Sequence, residues 1–170
     1  MKRAASFFLI LLLPICITAQ LPFMGIKLGG NANEMIRPLK QKGLQYHGVV
    51  GNEALWFDGE FAGWYTDFIY IQFSPSTRFT YSALVGIESG GEPAGWEPVS
   101  RTAYKSLRDM LLEKYNEADI AEDSSDMLIR LEDGTISLRA TDEVCTISYT
   151  DSVAYNAFAK DERIKSLNDL

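Results

Sequence analysis

The chain has little cysteine and almost no histidine. Cys16 and Cys145 are its two cysteines and His47 its one histidine, in 170 residues. A zinc site draws on several His or Cys ligands, so no usual zinc set can be assembled within one copy of the chain. Any Ser-His-Asp or Cys-His arrangement would have to use His47. That residue lies beside Gly48 in a strand pattern, away from any nucleophile-elbow motif, and reads as a strand-end or surface histidine. Phosphate-cradling loops are missing as well, since Gly29-Gly30 and Gly90-Gly91 match neither known glycine pattern. Basic residues are outnumbered: 16 Lys and Arg stand against 23 Asp and Glu, a net charge of −7. Such a balance speaks against nucleic acid and anionic membrane surfaces as partners. No cofactor is implied.

The first residues are those of a secretory signal. Lys2 and Arg3 precede an apolar run from Phe7 to Ile17, and Thr18-Ala19-Gln20 offers a small residue for cleavage. The run is shorter than the ~20 residues a membrane-spanning helix needs. We therefore expect cleavage near Ala19 and a periplasmic or secreted product with no membrane span. A lipid anchor on Cys16 would want a small residue directly before it, and Ile15 stands there instead. Without Lys2 and Arg3 the net charge becomes −9. Cys145 is then the only cysteine left, so no internal disulfide is expected. Its setting, Glu143-Val144-Cys145-Thr146-Ile147, makes it a small buried hydrophobe.

The remaining chain alternates two kinds of pattern. Asn31, Asn33 and Glu34 offer caps for a first helix with Met35, Ile36 and Leu39 on one face, and Gly43 ends it. Pro38 should leave this helix short or kinked, because an interior proline costs ~3 kcal/mol. Four strands follow at 46–50, 54–61, 64–73 and 78–87, rich in aromatic and β-branched residues. Asp58-Gly59 reads as a bulge. Phe68 to Phe73 reads as a central strand. Residues 89–100, with two prolines and three glycines, form a linker.

The clearest helix spans 101–115. Ala103, Tyr104, Leu107, Met110, Leu111 and Tyr115 form its apolar stripe, with Ser100 or Thr102 as its cap. An acidic loop at 117–126 comes next. Its carboxylates lack the EF-hand spacing and central glycine. Three strands follow at 127–131, 135–140 and 143–150, with Asp133-Gly134 as a hairpin turn. A helix beginning after Asp151 or Ser152 ends the chain.

The layout is α+β: two helix-plus-antiparallel-sheet units in tandem, with a C-terminal helical tail. Residues 1–19 form the signal, 20–88 the first unit, 89–100 the linker and 101–170 the second unit. Several stretches resemble an uncharacterised family of small exported proteins of Gram-negative bacteria. They are Gly25-Ile26, Leu39-Lys40-Gln41-Lys42-Gly43, Gly59-Glu60-Phe61-Ala62-Gly63, Trp96 with Tyr104, Leu107, Leu111, Lys114 and Tyr115, Val144 to Tyr149, and Asn168-Asp169-Leu170. The chain departs from the family pattern at Pro38 and at Asn116. The layout is also similar to that of the β-lactamase-inhibitor-protein-like fold. Both resemblances imply a fold and carry no activity.

The functional expectation rests on aromatic residues. Trp56, Trp64, Tyr65 and Trp96 lie in or beside strands and turns of the first unit. Neighbours in a strand face opposite ways, so a sheet with one buried face leaves about half of such residues outside. We expect a non-enzymatic binding or interaction module with a protein or glycan partner held on these side chains. Two other readings stand beside it: a small carboxylate-dependent hydrolase using Glu60 and Asp67, and an envelope structural protein.

Overall fold

The computed structural model describes residues 20–88 and 98–168. Residues 1–19, most of the linker with Trp96, and the last two residues lie outside the described residues. A helix followed by four antiparallel strands occurs twice. Helix α1 (Ala32–Gln41) precedes β3 (Gln45–Val50), β4 (Ala54–Phe61), β5 (Trp64–Phe73) and β6 (Thr80–Glu88). Helix α2 (Val99–Lys114) precedes β7 (Asp119–Glu122), β8 (Asp126–Arg130), β9 (Gly134–Ala140) and β10 (Val144–Asp151). A small hairpin of β1 (Pro22–Phe23) and β2 (Ile26–Lys27) opens the described chain, and α3 (Ser152–Asn168) closes it.

The strands make one eight-stranded sheet in the order β3-β4-β5-β6-β10-β9-β8-β7. The two sets of four meet at β6 and β10, which pair antiparallel from Val144↔Glu88 to Thr150↔Ser82. This junction explains the burial of β6, where Ala83, Val85 and Ile87 lie in the core and Ser82 and Gly86 on the other face are covered too. The most enclosed strand is therefore β6 rather than β5, whose outward side chains Phe68 and Tyr70 are half-exposed.

One face of the sheet carries the core. Leu55, Phe57, Ile69, Ile71, Ile129, Ile136, Leu138 and Ile147 alternate with outward residues and form one cluster with Met35 and Leu39 of α1 and Leu107 and Leu111 of α2. The first hairpin joins it through Phe23, whose ring stacks on Phe61 with centroids 5.8 Å apart. The sequence periods thus became faces as the pleat and the helical turn require.

One local expectation holds and several need correction. Pro38 sits inside α1, which is short as expected at ten residues, held by the Asn31 side chain accepting from the Asn33 N–H and closed at Lys42. Its buried face of Ala32, Met35 and Leu39 outweighs the missing backbone bond. Helix α2 starts earlier than expected and has no side-chain cap. Ser100 is instead buried in its first turn, donating to the Thr141 carbonyl at 2.8 Å. Met110 is 41% exposed and leaves the stripe. The acidic stretch is partly a strand, β7, paired from Asp119↔Arg130 to Glu122↔Met127. Its carboxylates meet arginines: Asp119 binds Arg130, Glu122 binds Arg108 and Asp126 binds Arg139. Asp123 accepts the backbone N–H groups of Ser125 and Asp126, which hold its carboxyl below the usual range. The second set therefore has four strands where three were expected.

Cys145 is 1% exposed, and desolvation by burial pushes its thiol up to about 12. At neutral pH the group stays a protonated, inert thiol. A thiol reagent such as a maleimide is expected to leave Cys145 unlabelled in the native protein and to label it fully in denaturant. Labelling of Cys145 in native protein within minutes would contradict the burial.

Candidate functional site

The face of the sheet opposite the core is where the aromatic residues gather. Strand register defines one row across it: Trp56↔Tyr70↔Leu84↔Ser148↔Ser137↔Leu128↔Ala121. A second row runs Phe68↔Gly86↔Thr146↔Arg139↔Asp126. The face is thus aromatic at the β4–β5 end and hydroxyl-rich over β10 and β9.

A bulge builds the aromatic end. Pairing shifts between Phe57 and Gly59, so Asp67 and Phe68 together oppose Asp58. The shift reverses side-chain parity along β5. Tyr65 before the bulge and Phe68 and Tyr70 after it therefore share the outer face, while Thr66 and Ile69 point into the core. The Phe68 and Tyr70 rings stack at 5.0 Å, 20° from parallel. Gly86 makes room for this arrangement, because a Cβ there would stand 2.1 Å from Phe68 Cζ. Gly86→Ala is expected to cost about 1–3 kcal/mol by overpacking, and most of that should vanish when Phe68→Ala is present too. Equal costs in both backgrounds, in a double-mutant cycle read by urea melts, would show that the ring does not lie over the glycine.

A second irregularity sets the rim. Pairing also shifts between Tyr46 and Gly48, which leaves His47 as the extra residue of β3. Its ring packs on Trp56 with centroids 4.6 Å apart. Its Nε2 lies 3.0 Å from Asp58 Oδ2. The other oxygen, Asp58 Oδ1, is buried without a hydrogen-bond partner among the described residues. Buried polar atoms are normally satisfied, so this one is an exception, sealed from solvent at the rim of the patch.

The expected surface residues separate. Trp56, 36% exposed, and Tyr65, 68% exposed, both lie on the outer face. Trp64 lies at the core side and packs against the buried cluster. Trp96 is outside the described residues. Phe68 and Tyr70 join the patch although sequence reading placed them in a covered central strand. The bulge at Asp58-Gly59 was the available signal, and its consequence for parity was the missing step. Of the hydrolase candidates, both exposed, Asp67 uses its Oδ2 to accept the Glu88 backbone N–H at 2.6 Å. Glu60 pairs in register with Tyr65 at the edge of the patch.

Comparison of the chain with family models, with curated proteins and with solved structures finds no match.

Proposed function

We propose that the chain is an exported, non-enzymatic binding module that holds a saccharide on the outer face of its sheet. One observation carries this reading: Trp56, Tyr65, Phe68 and Tyr70 form a patch on a single face, with Asp58 and His47 at its rim. Flat rings with polar edges suit a ligand that is apolar on its faces and polar around its rim. A sugar ring has that character. The Ser148, Ser137 and Thr146 hydroxyls beyond Leu84 and Gly86 extend the patch with neutral hydrogen-bonding groups. Few, well-placed polar groups beside aromatic area are what small-ligand recognition uses. The hydrolase reading is less well supported, because Asp67 is engaged by backbone.

The test is a glycan array probed with wild-type protein and with Trp56→Ala/Tyr70→Ala. Wild type is expected to select a set of glycans, and the double variant to lose at least ~10-fold in signal, about 1.4 kcal/mol. A blank array with folded wild-type protein would sink the saccharide reading. Unchanged selection by the folded double variant would move the site off this face.

A further inference from the structure

We propose that a separate cavity beneath α3 binds a small organic cation, an ammonium group carried on an apolar body. The cavity has a volume of about 340 Å³, within the usual ~300–1,000 Å³ of small-ligand sites. It lies between α3 and the β5–β6 turn at one end of the sheet. Ala154, Ala157, Phe158 and Asp161 face it from α3, at the spacing of one helical stripe. The two alanines supply the room. Phe158 is held by stacking on Tyr81, with centroids 4.5 Å apart and planes 10° from parallel. Phe79, 53% exposed, stands at the wall from the β5–β6 side.

The charge of the wall selects the ligand. Asp151 and Asp161 both line the cavity, and none of the described lining residues is basic. Asp151 is 1% exposed. It accepts the Leu21 N–H at 3.3 Å and the Ala154 N–H at 2.8 Å, so it caps α3 and answers the positive end of that helix. Asp161 is held only by the Ser76 hydroxyl at 3.4 Å. Of the basic residues of α3, Lys160, Arg163 and Lys165, none is part of the described wall; Lys165 pairs with Glu162 and also feels the charge of Asp161. A carboxylate at the end of an apolar cavity with two phenyl rings favours a cation over its neutral or anionic counterparts, through charge and through cation–π attraction. The overall charge of −7 acts in the same direction over longer range. The site uses no residue of the outer-face patch, so it stands apart from the saccharide reading.

Three probes of one shape test it: phenethylammonium, 2-phenylethanol and 3-phenylpropionate, titrated into the purified protein and followed by calorimetry and by Phe158 ring NMR signals. The ammonium is expected to bind at least ten times more tightly than the alcohol, and the carboxylate not at all. Asp161→Asn should erase the preference for ammonium over alcohol while the thermal midpoint stays within a few degrees. Ala157→Leu, which fills the cavity from the solvent-side helix, should abolish binding of both. Equal binding of all three probes, no binding of the ammonium, or ammonium binding unchanged in both folded variants would overturn the proposal.

Discussion

Leu107→Asp is expected to abolish cooperative folding of the entire chain. Leu107 is 2% exposed in the middle of α2 and belongs to the same buried cluster as Leu55, Phe57 and Met35 of the first unit. Truncating a buried leucine costs about 2–5 kcal/mol. A carboxylate left unpaired in that place adds a desolvation penalty of several kcal/mol more. The sum is comparable to the ~5–15 kcal/mol that holds a domain together. Because β6 and β10 join the two sets of strands in one sheet, the first unit should not survive on its own. Circular dichroism and urea melts would show loss of the single transition. A variant that keeps a cooperative transition of about half amplitude would mean that the two units are independent, against the shared core.

Gly134→Val is the second large effect. Gly134 is buried at the start of β9, and its partner in register is Asp151. A Cβ at this position would stand 2.2 Å from the Thr150 carbonyl oxygen and 3.2 Å from Leu21 Cδ2. The first neighbour is backbone and has no rotamer to retreat into. Either β9 and β10 separate at this end or the turn after Leu131, closed by the Leu131 N–H on the Gly134 carbonyl, is rebuilt. Overpacking of this kind costs about 1–3 kcal/mol or more, and here the upper end is expected, seen as a fall in the urea midpoint. The same end carries the Asp151 cap, so α3 should also lose helical signal. A stability loss under about 1 kcal/mol would show that the strands can spread there without penalty.

The sequence carried the helices and strands well where the period was long and clean. Leu107 and Leu111 were legible as buried because three and four residues separate neighbours on one helical face. Met110 was misread because the stripe of α2 is narrower than its apolar composition suggests. Strand β7 was hidden because Asp119 and Glu122 read as solvated loop, while the arginines that accompany them, Arg130 and Arg108, come from other elements. Such partners cannot be found by scanning one window. The joining of two expected sheets at β6 and β10 is likewise a pairing of strands far apart in sequence, which local pattern does not encode.

The candidate site was only half legible for a related reason. Alternation correctly divides Trp56 from Phe57 and Trp64 from Tyr65. It fails after residue 66, because one extra residue opposite Asp58 shifts every later side chain of β5. Phe68 and Tyr70 then join the outer face instead of the core. The cavity under α3 had no sequence signature beyond two alanines at helical spacing. Its negative charge comes from Asp161 and from Asp151, and Asp151 reads in sequence as a helix cap and performs that role as well.

The most direct test of the binding face is an NMR titration of the protein with the glycan that scores highest on an array. Backbone shifts are expected to cluster on Trp56, Asp58, Tyr65, Phe68 and Tyr70, with Ser148 and Ser137 responding where the glycan extends along the row. The largest changes falling instead on α1 or α2, across the core from this face, would contradict the account.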